Sequence, residues 1–167
     1  HATLGDNVSV NGNALTVSAS GKDINLANAT SGSGGVVSGA AASADTSSTS
    51  NTLATTGSGD SSHQINVGAL DIRAAHTTQF NGSVDSLNAS LVGASGATAN
   101  HLVSSTVFAG IGAGGRVNAN SVTIGADNLS HKFWLGASTL AQDAAMNPDN
   151  AGWNINSGSG GLIDLPA

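Results

Sequence analysis

The sequence predicts an all-β chain built by repetition, and three observations carry that prediction. The first is a ten-residue unit, Val117-Asn118-Ala119-Asn120-Ser121-Val122-Thr123-Ile124-Gly125-Ala126, that occurs again upstream. Its counterpart Val10-Asn11-Gly12-Asn13-Ala14-Leu15-Thr16-Val17-Ser18-Ala19 lies 107 positions earlier, and the match runs gaplessly back through Ala2-Thr3-Leu4-Gly5 against Ala109-Gly110-Ile111-Gly112. A looser copy, Ile65-Asn66-Val67-Gly68-Ala69-Leu70-Asp71-Ile72-Arg73-Ala74, stands close to midway between the two. Each copy places an apolar-polar-apolar triplet after an Asn and a short link, which is the period-two pattern of a strand and not that of a helix. The second observation is composition. Only 8% of the 167 residues are charged and 3% aromatic, too few large side chains for a thick globular core. The third is vocabulary: all ten acidic residues are Asp, and Gly, Ala, Ser, Thr and Asn dominate, so long polar helix formers are scarce.

A stack of thin coils, a parallel β-helix, accommodates this poverty. Each coil buries one or two small or branched side chains per face, and the backbone ladder between coils satisfies the polar groups. Regularly placed Val, Ile and Leu with a net charge of −6 do not carry the high-charge signature of disorder, so any disorder is expected to be local.

In chain order, residues 1–30 are expected to form β-helix coils, with strands at Val8-Ser9-Val10, Leu15-Thr16-Val17 and Ile24-Asn25-Leu26. Their spacing implies a coil of roughly 20–25 residues, although a meander of hairpins could use similar spacing. Residues 31–62 are Ser, Ala, Gly and Thr nearly throughout, with Val36, Val37 and Leu53 as the large apolar side chains. They read as an excursion, either a specificity loop, a weakly ordered linker or a few degenerate coils. Residues 63–128 return to coils, with Gly110, Gly112, Gly114 and Gly115 at tight corners that need positive φ or close backbone approach. Residues 129–156 read as an insertion with a short helix near 140–146, opened by Thr139 and stopped by Asn147-Pro148. Residues 157–167 read as a final coil. The chain begins at His1 and not at Met, and is read as a mature fragment or an excised segment.

Several functional classes are disfavoured. The absence of cysteine removes disulfides, thiolate metal sites and a thiol nucleophile. Four basic residues in all do not support neutralisation of a nucleic-acid backbone, and no segment has the length of a membrane span. His1, His63, His76, His101 and His131 show no metal-binding spacing, so neither a metal nor another cofactor is expected. Asn147-Pro148-Asp149-Asn150-Ala151-Gly152 lacks the bidentate acid of a calcium loop and reads as a turn. Asp71 and Arg73 read as a surface ion pair. The Asn11, Asn66 and Asn118 set reads as amides stacked at a coil corner.

The units at 109–112 and 117–126, with Ser157-Gly158-Ser159-Gly160-Gly161-Leu162-Ile163-Asp164, resemble the repeat regions of large secreted bacterial filamentous adhesins, the haemagglutinin-like and leukotoxin-type surface proteins. The resemblance is one of rhythm and covers about two thirds of the chain, mainly residues 2–27 and 65–167. It implies a right-handed parallel β-helix, secretion to the bacterial surface, and a role in attachment, aggregation or biofilm matrix, with no catalytic residue to transfer. The expected function is therefore a structural stalk segment of such an adhesin or of an extracellular fibre, and not an enzyme. One alternative is a glycan-binding module in which Trp134 and Trp153 stack on host, bacterial or matrix sugars. Another is a filament subunit associating head to tail through exposed strand edges.

Overall fold

The computed structural model describes residues 1–60, 62–132, 155–160 and 163–166. Every element assigned among them is a strand: β1 (Ala2–Thr3), β2 (Val10–Thr55), β3 (Gln64–Gly110), β4 (Arg116–Lys132), β5 (Ile155–Gly160) and β6 (Ile163–Pro166). They form one sheet in which β1, β2, β3 and β4 neighbour one another in sequence order, while β5 and β6 also pair with β3. Ala2 lies opposite Ala54, Val84 opposite Ile155 and Val92 opposite Ile163, all in parallel ladders. Side-chain bonds between β2 and β3 keep a constant step of 55 in residue number at Asn11–Asn66, Ser43–Thr98, Asp45–Asn100 and Thr46–His101. Gln79 and His131 continue the series with a step of 52. A constant difference in residue number along a pair, as opposed to a constant sum, marks parallel strands.

The expected all-β class and parallel pairing are therefore present, but the step between paired neighbours is 52 to 55, more than twice the coil length that the triplet spacing implies. Leu15-Thr16-Val17 and Ile24-Asn25-Leu26 belong to one run, β2, which continues through the Ser/Ala/Gly/Thr-rich stretch as far as Thr55. Gly21-Lys22-Asp23 does not break the ladder, because alternating burial persists on both sides of it. The helix expected near 140–146 lies outside the described residues, as do Trp134, Trp153 and the turn at 147–152.

The chain divides into two compact units, and β2 and β3 each thread both. Unit 1 comprises His1–Asp23, Thr49–Thr78 and Ser104–Ser130, and unit 2 comprises Ile24–Ser48, Gln79–Val103 and His131–Ala167. Unit 1 has the apolar core: Val17, Ala54, Ile65, Val67, Leu70, Ile72 and Ala74 are buried, with Leu4, Val10, Leu15, Val107 and Val117 packed against them. At about 1.5–3 kcal/mol for each large aliphatic side chain, these few residues supply the hydrophobic drive of the unit.

The corner of unit 1 depends on glycine. Leu4 N–H donates to Thr55 O at 3.0 Å, and Thr56 N–H donates to Gly110 O at 3.3 Å, so three successive passes stack there. Gly5 and Gly57 have φ of +88° and +73°, and a Cβ at Gly57 would strike the Gly5 carbonyl. A Cβ at Gly112 would likewise strike the Gly57 carbonyl, and Gly114, at φ +69°, would strike that of Gly59. Only glycine combines this φ with so close an approach. The expected role of the Gly110–Gly115 run as a tight corner is observed.

Unit 2 has a polar interior. Asn81, Ser86, Asn88, Ser95, Thr46 and Ser48 are buried there, beside Val84 and Ala44. Ser33 Oγ donates to Gly39 O at 2.8 Å, and Asn88 Nδ2 donates to Ala94 O at 3.1 Å, each bond reaching six positions along the chain. Both β2 and β3 therefore fold back on themselves, around Gly34–Val37 and around Ser90–Gly93. The turn residues Val36, Val37 and Leu91 are exposed.

Candidate functional site

Among the described residues, three polar clusters and a polar groove concentrate chemistry. In unit 1 the imidazole of His76 is enclosed by side chains from the same unit. Thr52 Oγ1 lies 3.0 Å from Nδ1, while Ser50 Oγ lies 3.0 Å and Asp23 Oδ2 3.2 Å from Nε2. Gly21 leaves the room the ring occupies, since a Cβ there would run into His76 and would sit 2.9 Å from the Thr52 hydroxyl. Hydroxyl, imidazole and carboxylate are the parts of a nucleophilic triad, but Ser50 and Asp23 share one ring nitrogen. A relay using both nitrogens would start from Thr52, and Thr52 and His76 are each only 4% exposed. The cluster thus ties the return leg of β2 to the outgoing legs of β2 and β3, with both imidazole nitrogens engaged.

In unit 2 the buried amide of Asn88 is satisfied on every side. Its Oδ1 accepts from Ser38 Oγ and lies 3.2 Å from Ser33 Oγ, whose single proton it shares with Gly39 O, and its Nδ2 donates to Ser38 O at 2.8 Å and to Ala94 O at 3.1 Å. Gly93 makes the turn possible, because a Cβ there would strike the Asn88 amide and the Ser90 hydroxyl. One side chain therefore closes both fold-backs of the unit.

The third cluster surrounds His101. Its Nδ1 lies 2.6 Å from Thr46 Oγ1, and its ring is tilted against Phe80 with centroids 5.2 Å apart. Burial pushes its pKa below the usual histidine value and the Lys132 cation adds to that, while Asp45 opposes both. Beside it a groove of about 300 Å³ is lined by Ile24, Asn25, Leu26, Asp45, Thr46 and Ser47. Asn25 Nδ2 is buried and has no hydrogen-bond partner. Asp45 accepts from Asn100 Nδ2 at 2.8 Å and from Ser43 Oγ at 3.2 Å.

Of the residues singled out from sequence, Trp134 and Trp153 lie outside the described residues. The five histidines do not converge: among the described residues no group of three His or Asp side chains is placed to hold a metal ion. His63 instead meets Asp60 Oδ1 at 2.7 Å, on the surface, and that contact, with the Ser62 N–H, holds the Asp60 carboxyl below the usual range. Arg73 Nε reaches Asp71 Oδ1 at 2.8 Å and Oδ2 at 3.0 Å, as expected of a surface pair. Asn66 Nδ2 donates to Asn11 Oδ1 at 3.1 Å, so that pair of amides stacks as expected, but Asn11, Asn66 and Asn118 lie within β2, β3 and β4 and not at a corner. Sequence reasoning misses the partnerships of His76, Asn88 and His101. Their one available signal is the offset of 55 between β2 and β3, which places His76 opposite Gly21, Asn88 opposite Ser33 and His101 opposite Thr46.

No family model matches this chain, and no curated protein and no solved structure matches it either.

Proposed function

We propose that the chain is a structural stalk segment of a secreted bacterial adhesin or extracellular fibre, its parallel sheet wound as a right-handed β-helix. The observation that carries this reading is the regular step of 52 to 55 between parallel neighbours, which lets a chain with few large side chains build a stack layer by layer. Interiors closed by His76 and Asn88 hydrogen bonds, and by a handful of aliphatic residues, suit an element whose product is length and resistance to proteases. The resemblance to adhesin repeats supplies the setting: attachment, aggregation or biofilm matrix at the bacterial surface. The test is display of the chain on a non-adherent bacterium. Surface attachment or cell aggregation should rise above that of cells displaying a scrambled sequence of equal composition, and equal attachment by both strains would sink the proposal.

A second reading, a glycan-binding module, is favoured by the groove at Ile24–Leu26 and Asp45–Ser47. The exposed Asp45 carboxylate and the two exposed aliphatic side chains of Ile24 and Leu26 offer a sugar a hydrogen-bond acceptor and an apolar face to cover. A glycan array probed with the purified chain and with Asp45→Ala tests it. Retention of every signal by the variant would remove this groove from consideration.

A further inference from the structure

In unit 1 the sheet ends in two edges that match each other. Along one, the β2 leg from Val10 to Asp23 pairs with β3 on a single side. Along the other, β4 is the last strand in the order β1-β2-β3-β4 and pairs with β3 alone. Among the described residues no strand covers the outer side of either. Protein edges are ordinarily blunted by charge or proline; here Lys22, Asp23, Arg116, Asp127 and Lys132 sit at the ends of the two edges, and the stretches Val10–Gly21 and Val117–Ala126 between them contain no Asp, Lys, Arg or Pro. Val122 and Ile124 on β4 are about half exposed.

The two edges also share a sequence. Val10–Ala19 and Val117–Ala126 are the matching units, and the distance between them is one step of 55 followed by one of 52. Whatever lies against β3 on the β2 side has nearly the same chemistry as what lies against it on the β4 side. The Asn column shows the consequence: Asn66 donates to Asn11 below it, and Asn118, exposed at the open edge, stands next in that column with a carbonyl to offer. At the corner, Gly112 lies over Gly57 and Gly57 over Gly5, so a further Gly5 fits the place above Gly112.

We infer that β4 is a docking edge for the first leg of β2 in a second copy of this chain, stacked in parallel so that Asn11 of the incoming copy lies over Asn118. The occupant follows from continuity with the ladder already formed by β2, β3 and β4, whose next layer must be parallel, small-sided and uncharged in this stretch. Charge at the end of the stretch agrees: Lys22 of the incoming copy falls opposite Leu129, one diagonal step from Asp127. The same contact repeated makes a head-to-tail filament. This inference rests on the stacked parallel sheet and is independent of any role in attachment.

The natural absence of cysteine gives a register test. Within one chain Asn11 and Asn118 are separated by the Asn66 strand, about 9.6 Å apart, beyond the reach of a disulfide. Between stacked copies they are adjacent. Asn11→Cys/Asn118→Cys, oxidised at increasing concentration, should give a ladder of linked dimers, trimers and higher species. Asn11→Cys/Val122→Cys, about four residues or 13 Å out of register, should link at least tenfold less. Monomers alone from the first variant, with a native circular dichroism spectrum, would overturn the inference, as would equal linking by both. Sedimentation velocity of the unmodified chain covers the case in which the variants do not fold. Species that grow with concentration support stacking, and a monomer at every concentration refutes it, whatever the adhesion assay reports.

Discussion

Replacement of Asn88 tests whether one buried amide closes unit 2. Asn88→Ala removes three full hydrogen bonds, one accepted from Ser38 and two donated to the carbonyls of Ser38 and Ala94, together with a share in the Ser33 proton that Gly39 O also accepts. At roughly 1 kcal/mol net for each bond the loss is about 3–4 kcal/mol. The serine hydroxyls can rotate to other acceptors, whereas the two carbonyls are fixed in the turns. Asn88→Asp separates the donors from the packing: it keeps the volume and the accepting oxygen but turns a carboxylate oxygen toward two carbonyl oxygens. It should be at least as destabilising as alanine at pH 7. For a chain of this size about 2–4 °C is lost per kcal/mol, so the alanine variant should melt roughly 6–16 °C below the parent. Thermal melts followed by circular dichroism, with urea unfolding for the free energy, read this directly. Ser33→Ala, which removes the one proton shared by Gly39 O and Asn88 Oδ1, should cost about 1 kcal/mol. If both Asn88 variants unfold within about 1 kcal/mol of the parent, the polar fold-back is not what holds the unit.

Gly112→Ala places a methyl group into the Gly57 carbonyl and should cost about 3 kcal/mol or more by urea unfolding, while Gly125→Ala, with open space around its Cβ, should be neutral or stabilise by about 0.4–1 kcal/mol. Because burial lowers the pKa of His101 from its ordinary 6.5, the folded state favours the neutral ring and the unfolded state binds the proton more readily. The stability it contributes is thus present above pH 6.5 and is lost as pH falls below that value. Urea unfolding from pH 7.5 to 5 should show this decline, and His101→Gln should flatten it. Arg73→Ala breaks an exposed ion pair and should change stability by less than about 1 kcal/mol, in contrast to about 2–5 kcal/mol for Ile72→Ala in the core next to it.

The class of the fold is legible because parallel pairing of repeated strands leaves a periodic trace in the sequence, and the units at Val10, Ile65 and Val117 do lie on three neighbouring strands of the sheet. The size of the step is legible in the spacing of those units but not in the apolar triplets, for a physical reason. Hydropathy predicts short strands wherever Val, Ile or Leu alternate, and gaps wherever Ser, Thr, Ala and Gly replace them. In β2 and β3 those small residues occupy the same alternating inward positions, and hydrogen bonds to His76 and Asn88 take the place of aliphatic contacts, so the strand continues where hydrophobicity stops. Burial of Thr52, Ser86 and Asn88 leaves no mark in a hydropathy pattern. It becomes visible only once the parallel register brings Ser33 to Asn88 and Gly21 to His76. The distance between the repeated units is therefore already the layer spacing, and a shorter coil inferred from neighbouring apolar triplets puts strand ends where the backbone ladder has none. The same argument explains why the glycine corner is readable. A φ above zero and a carbonyl in the space of a Cβ are demands that only glycine meets, so Gly5 and Gly112 announce their position by identity, whereas a buried serine has the same letter as an exposed one.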